Sequence, residues 1–450
     1  MSSNFNETLA DKTNDPKENI IPTAPPSFSA ALRFWFKLGF ISFGGPTGQI
    51  AIMQTELVDR RRWISDAHFL QALNYCMLLP GPEAMQLATY VGWLLHRTPG
   101  GLVAGAFFVI PSIFIMLGLS YVYAAFGSVP WIAAMFYGLK PAVLAIVASA
   151  TIRIGARALA HPLMYAIAAA AFGALFFLKA PFPGVIAGAA VVGLVGMRWR
   201  PDIFAASSGK SKAASIISDD GPAPGHTRPS FSRAARVTAV CLAFWIIPLA
   251  ALGLWRGLGD VLFQEAVFFS KAAMVTFGGA YAVLPYVAQQ AVEHYGWLTP
   301  AQMIDGLGLA ETTPGPLIMV LQFVGFMAGW RQAGDLGIAG AILGGLTATY
   351  FTFMPCFFWI FLGAPYMEHI RRNRALTGTL AAITAGVVGV VLNLAVWFGL
   401  NVLFPAHQGL DGFALGVTII SFISLQRFKV GIMPVIAGAT ALGLIYRLLF

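Results

Sequence analysis

Charge is what this sequence has least of. Asp, Glu, Lys and Arg make up 10% of its 450 residues, against about 25% in an ordinary soluble domain. So few charges cannot solvate the surface of a soluble protein this large. The three cysteines, Cys76, Cys241 and Cys356, stand singly in apolar surroundings. They have neither CxxC nor zinc-ligand spacing, so neither a metal site nor a disulfide framework is expected. The first 27 residues are polar and lack a basic stretch followed by an apolar core, so no cleavable signal peptide is expected. Enzyme signatures are missing as well: there is no GxSG, HExxH or DxD, and no histidine–carboxylate pair with hydrolase or transferase spacing. Histidines such as His96, His161 and His369 fall near segment ends, where structural or solvated roles account for them. The reading is a non-enzyme without a cofactor.

What the sequence has in quantity is apolar length. Hydrophobic residues make up 58% of it and the mean hydropathy is +0.73. Runs near the roughly 20 residues that cross a bilayer recur, most clearly at Leu102–Tyr123, Val237–Trp255, Ala375–Phe398 and Phe413–Leu425. Barrel strands would alternate over about 10 residues instead. The expected class is all-α, a polytopic helical membrane protein. In that setting the formal charge of +9 points to lipid headgroups rather than nucleic acid, with basic residues flanking the spans.

The chain is written twice. Phe43-Gly44-Gly45 returns as Phe277-Gly278-Gly279, an offset of 234 residues that also carries Lys37 onto Lys271, Trp63 onto Trp297, and Pro80-Gly81-Pro82 onto Pro314-Gly315-Pro316. "YVGW" at Tyr90 answers "FVGF" at Phe323, and "VIAGA" recurs at Val185 and Val435. Such a long period is no solenoid and fits the two-repeat plan of secondary transporters. The expected divisions are a polar tail over 1–29, a first repeat over 30–197, a flexible linker over 198–236, a connecting helix over 237–255 and a second repeat over 260–450. The linker's Ser, Gly and Pro cannot bury a core, and its excess of Lys and Arg puts it on the cytoplasmic side. Six elements per half plus one extra crossing, about 13 in all, would invert the second repeat. The basic "DRRR" ending at Arg62 and "RRNR" beginning at Arg371 lack basic mates, which agrees with inversion, yet a simple span count does not bring every basic loop to one side.

Gly costs about 1 kcal/mol and Pro about 3 in a helix interior relative to Ala, and within a bilayer every backbone polar group needs a partner. The repeated FGG and PGP therefore mark breaks that build a site near the middle of the molecule. The glycines Gly44, Gly45, Gly278 and Gly279 have a second explanation, close helix packing. In the PGP triplets, Pro82 and Pro316 suit a first helical position, which would aim free N–H groups and a positive dipole end into a cavity. Polar residues gather at these breaks: Asn74, Glu83, Gln86 and Tyr90 around the first PGP, and Asp305, Glu311, Thr312, Thr313 and Gln322 around the second. Ionisable residues in membrane segments are costly and usually functional. Lys37 and Lys271 could instead snorkel, and Glu83 could simply answer a helix dipole. Glu311, upstream of its PGP, has no such explanation and is the sharper proton-carrying candidate.

"FGGP", "PGPEAMQLATYVGW", "FGGAYAVLPYV" and "ETTPGPLIMVLQFVGF", in this order in a duplicated frame, resemble the chromate ion transporter (CHR) family in its long-chain, two-repeat form. The resemblance runs from about Ala30 to the C-terminus, the linker excepted. It implies export of chromate across the bacterial inner membrane and chromate resistance, with sulfate as a related or competing oxyanion for some members. The family's motif positions fall on Phe43 to Pro46, Pro80 to Glu83, Phe277 to Gly279 and Glu311 to Pro316. Ala280 stands where the first half has Pro46, and Leu317 where it has Glu83, so the two halves are not chemically equivalent. A tetrahedral dianion needs donors and positive charge. Helix starts after PGP, the hydroxyls of Thr312 and Thr313, and Lys37 and Lys271 are the expected suppliers. Protonation of Glu83 or Glu311 would then allow occupancy, giving a proton-linked antiport cycle. Potential-driven uniport, a proton-coupled exporter of organic cations and a passive anion channel stay open at this point. So does the oligomeric state, a homodimer included.

Overall fold

The chain folds into helices. No strand occurs among the residues that this computed structural model describes, which are 26–200, 203, 229–367, 374–405 and 409–449. Most of the expected tail and linker, and Arg371 to Asn373 of "RRNR", lie outside them.

Each repeat begins with two broken hairpins. Helix α1 (Phe28–Ile41), capped by Ser27, stops at the first FGG. There Gly44 and Gly45 take φ of +86° and +66°, a left-handed backbone that only glycine adopts without strain. Helix α2 (Gly45–Gln54) follows with Pro46 in its first turn and runs into a π turn over Thr55–Arg60. Helix α3 (Asp66–Leu78), capped by Ser65, ends at the first PGP, where Gly81 has φ +130°. Then come α4 (Glu83–Phe126), α5 (Pro130–Ala158), α6 (Pro162–Phe176) and α7 (Phe182–Trp199). A helix between the repeats, α8 (Phe231–Arg256), fully buries only Cys241, packs Val237, Trp245, Leu249 and Leu252 partly against the core and leaves Phe244, Ile246, Ile247 and Leu254 outward, as a lipid-facing span would.

The second repeat runs through the same series. Helix α9 (Val261–Met274) stops at the second FGG, where Gly278 and Gly279 have φ +84° and +88°. Helix α10 (Ala280–Ala288) again passes into a π turn, over Gln289–His294. Helix α11 (Pro300–Thr312) starts with a capping box from Thr299 and Gln302. After the second PGP come a 3-10 turn (Leu317–Met319), α12 (Val320–Gln332), α13 (Gly337–Gly363), α14 (Arg374–Leu403), α15 (Gly412–Gln426) and α16 (Ile432–Leu449). Among the described residues seven helices are long and apolar enough to cross a membrane, and the chain is a polytopic helical membrane protein. The expected runs lie within α4, α8, α14 and α15.

Matching packing confirms the duplication. Phe34 meets Trp63 edge to face with ring centroids 5.1 Å apart, and Phe268 meets Trp297 likewise at 5.6 Å. Both partners are related by the same offset of 234 residues. The glycines of "YVGW" and "FVGF" also have a packing reason. A Cβ on Gly92 would strike the carbonyl of Gly100, and one on Gly325 that of Gly344. These contacts fold α4 back on itself at His96 and Arg97, whose backbone is non-helical, and fold α12 against α13.

The hairpins of the two repeats have their ends at different faces of the molecule. At one face, which we term the linker face, the end of α7, the start of α6 and the start of α14 share a cluster through Met197, Met164 and Ala382. The start of α8 meets the fold-back of α4, with Arg233 5.1 Å over the ring of Trp93. His96, three residues on, receives the start of α1 through a 2.8 Å bond to the Pro26 carbonyl. At the opposite face Arg256, ending α8, binds Asp335 at 2.8 Å, and Arg331, ending α12, binds Gln302 of α11 at 2.8 Å.

Candidate functional site

Each PGP is seated on the other repeat's FGG. The Gly81 amide donates to the Thr276 carbonyl at 2.8 Å, and the Gly315 amide to the Ser42 carbonyl at 2.7 Å. Ser42 and Thr276 turn their hydroxyls back to Leu38 and Ala272, each at 2.6 Å. Backbone that no helix satisfies is thus satisfied across the repeat boundary, where lipid could not do so. The positive φ at Gly44, Gly45, Gly278 and Gly279 makes these residues breaks rather than only packing positions. The prolines sit one place earlier than expected. Pro82 is the N-cap of α4, extended at ψ 107°, and Pro316 is extended before the 3-10 turn, because Glu83 and Leu317 are the first residues with helical backbone.

Against the first-PGP, second-FGG junction lies a cavity of about 210 Å³. Its wall includes Pro46 and Thr47 from the start of α2, and Gly279, Ala280 and Tyr281 from the start of α10. Gly81 and Glu83 come from the first PGP, Arg153 and Arg157 from one face of α5, and Thr384 from α14. Two helix N-termini therefore meet one cavity, each with unbonded amides and a positive dipole end. The two guanidiniums add formal charge and bidentate donors. Arg157 is exposed and Arg153 half-buried, so the cavity opens along the last turns of α5, at the linker face.

Two carboxylates adjoin this positive surface. Glu83 is in the wall, and its Oε2 is buried without a hydrogen-bond partner among the described residues. Glu311 lies behind the wall: Tyr281 donates to its Oε1 at 2.5 Å, its Oε2 has no such partner, and Arg153 acts on it electrostatically. A tetrahedral anion placed here would meet helix amides, hydroxyls and arginines, with Glu83 as the one opposing charge in the wall.

The other expected site residues distribute as follows. Gly278 is in the wall beside Gly279, and Pro80 and Pro82 flank Gly81 there, whereas Gly44, Gly45, Pro314, Gly315 and Pro316 form the other junction, outside the wall. Thr312 and Thr313 each turn their hydroxyls to the Leu309 carbonyl at 2.8 Å and are not in the wall. Gln86 donates to the Pro80 carbonyl at 2.8 Å. Gln322 donates to that of Ile113 at 2.8 Å and accepts from Thr349. The first bond satisfies broken backbone, and the second ties α12 to α4. Asn74, Lys37 and Lys271 are exposed on the outer faces of α3, α1 and α9, away from the cavity. Asp305 binds Tyr123 at 2.8 Å and Lys140 at 3.5 Å. Sequence reasoning missed Arg153, Arg157, Tyr281, Thr47 and Thr384. The available signal was the spacing of two arginines by four in "TIRIGARA", one helical face inside an apolar span.

Comparison with known proteins agrees with this architecture. The family model described as "Chromate transporter" matches residues 29–194 and 263–444, so the two matched regions coincide with the two repeats. A chromate transport protein of Cupriavidus metallidurans is 28% identical over 429 residues, 94% of this chain and 95% of its own. One from Pseudomonas aeruginosa is 31% identical over 390 residues, covering 84% and 83%. An uncharacterized transporter of Methanocaldococcus jannaschii is 25% identical over 436 residues, covering 96% and 97%. No solved structure matches.

Proposed function

The chain belongs to the chromate transporter family, and we propose that it is a secondary active transporter exporting chromate, with sulfate or a related tetrahedral oxyanion as a second substrate. The observation that carries this reading is the cavity where two helix N-termini meet Arg153 and Arg157. The relatives named chromate transport protein support the substrate. Two guanidiniums in the wall weigh against the organic-cation alternative, since a cation would have to displace or pair with both.

The placement we propose is the bacterial inner membrane, with the linker face in the cytoplasm. Arg60, Arg61 and Arg62, Arg157, Arg198 and Arg200, and Arg233 and Arg236 all lie at or near helix ends on that face, in line with the excess of Lys and Arg on cytoplasmic loops. Hairpins with their ends at opposite faces support an inverted pair of repeats. An anion would then enter from the cytoplasm through the arginine-lined mouth. A dianion leaving a negative interior gains about 2.3 kcal/mol per charge per 100 mV, so export is downhill electrically. Glu83 and Glu311 supply proton coupling: protonated they admit the dianion, ionised they repel it. Expulsion of chromate in this way would give the cell resistance.

The test is chromate flux from proteoliposomes under an imposed potential, with and without a pH gradient, for the native chain and Glu311→Gln. Flux that follows the pH gradient only in the native chain supports the coupled exporter. Flux set by potential alone in both removes the coupling. Absence of chromate flux under every gradient overturns the substrate.

A further inference from the structure

The two junctions are not held alike. Where the first FGG meets the second PGP, side chains reinforce the backbone bond. Ser112 of α4 donates to the Pro314 carbonyl, and Gln49 of α2 donates to that of Gly315 and lies 3.5 Å from that of Ser42. Ser112, Gln49 and Ser42 are at most 1% exposed. Gly315 is obligatory beneath them, since a Cβ there would strike the Ser112 hydroxyl.

At the mate junction no side chain donates across the repeat boundary among the described residues: Gln86 holds the Pro80 carbonyl at 2.8 Å, but from within the same repeat. Ser112 follows Pro111 inside α4, and Cys356 follows Pro355 inside α13. Cys356 packs on Gly81 as Ser112 packs on Gly315: its Sγ is 2.7 Å from where a Gly81 Cβ would stand. A thiol is a poor donor, and this one turns to its own Thr352 carbonyl at 3.6 Å. The residue 234 places after Gln49 is Val283, which has no donor. The cavity lies at this junction, where among the described residues only the backbone hydrogen bond from Gly81 to Thr276 crosses between the repeats. Leu79, just before the first PGP, lines the cavity, whereas its mate Thr313 is 4% exposed.

We infer that Ser112 and Gln49 are a latch that keeps the first-FGG, second-PGP junction shut. The resting protein is thereby held open at the linker face, and the anion departs past this junction when the latch releases. In an apolar interior, a carbonyl abandoned by its donor is costly, so release requires water or the anion to take the donors' place. That requirement ties opening to occupancy of the cavity. The inference rests on the chain being a transporter with two alternately open faces, but its test reads accessibility rather than flux.

The reporter is Thr313→Cys in a chain whose Cys76, Cys241 and Cys356 are replaced by alanine. It is treated with a membrane-impermeant maleimide in vesicles of each orientation. With the latch intact, labelling from the opposite face is slow. Ser112→Ala or Gln49→Met should each raise that rate about tenfold, the population change expected for one lost buried hydrogen bond. A second reporter, Thr384→Cys in the cavity wall, should label no faster from the linker face in the same variants. Unchanged Thr313→Cys labelling in a variant that still melts cooperatively overturns the latch. So does a rise from both faces at once, which would mean loosening rather than switching. If Ser112→Ala fails to fold, Gln49→Met carries the test alone. Loss of chromate flux with labelling as expected would count against the proposed function and leave the latch standing.

Discussion

The carboxylate of Glu83 lies directly against Gly279: a Cβ on that glycine would sit 2.9 Å from both carboxylate oxygens. One residue comes from the first PGP and the other from the second FGG. The only acidic residue in the cavity wall among the described residues is thus placed by a glycine of the other repeat, and the cavity exists only when the two repeats are docked.

Gly279→Ala should therefore do more than strain the backbone. Its φ of +88° alone costs an alanine about 1–3 kcal/mol. Gly278→Ala carries a similar φ of +84° but meets only the Val387 side chain, at 3.4 Å or more. Thermal melting should show both variants destabilised. Anion binding by calorimetry should fall further in Gly279→Ala, because the new methyl pushes Glu83 into the cavity. Equal binding in the two variants would separate Glu83 from the site.

Arg153→Gln and Arg157→Gln should each weaken chromate or sulfate binding about tenfold or more, since a hydrogen bond to a charged group contributes about 1.5–3 kcal/mol. Arg153→Lys should recover part of the loss, keeping charge but not the planar fork. Lys37→Ala and Lys271→Ala should leave the dissociation constant unchanged, as both side chains point away from the cavity. A dissociation constant moved by the lysines and not by the arginines would place the anion elsewhere.

Glu83→Gln should flatten the pH dependence of anion binding. An ionised Glu83 repels a dianion and a protonated one does not, so native binding should weaken as pH rises while the variant keeps its affinity. Sulfate is the right probe, because its charge is constant near neutrality. Parallel pH profiles for native and variant chains would show that the dependence arises elsewhere.

Asp305 and Lys140 offer a stability test remote from the cavity. Asp305 is 2% exposed and Lys140 lies 3.5 Å away. Lys140→Met should cost about 3 kcal/mol by leaving an uncompensated buried carboxylate. Adding Asp305→Asn should restore most of it, a coupling readable as melting temperatures in a double-mutant cycle. Additive losses would mean that the pair is not coupled.

Much of this protein was legible before any coordinates. A scarcity of charge fixed the membrane class, since lipid tolerates no other composition. One offset of 234 residues fixed the duplication and picked out FGG, PGP, Trp63 and Trp297, because breaks and packing pairs are local and leave local marks. Glu83 was legible for the same reason, standing beside its proline. What could not be read was which groups converge. No neighbouring break such as FGG or PGP sets Arg153 and Arg157 apart from the other basic residues, while Lys37 and Lys271 stand close to FGG, since a linear chain does not say which face of a helix turns inward. The crossing of each PGP onto the other repeat's FGG, and with it the cavity, was decided by tertiary structure alone. Only docking of the two halves brings Gly81 to Thr276 and Gly315 to Ser42, because broken backbone in an apolar medium must find its partners wherever the fold supplies them.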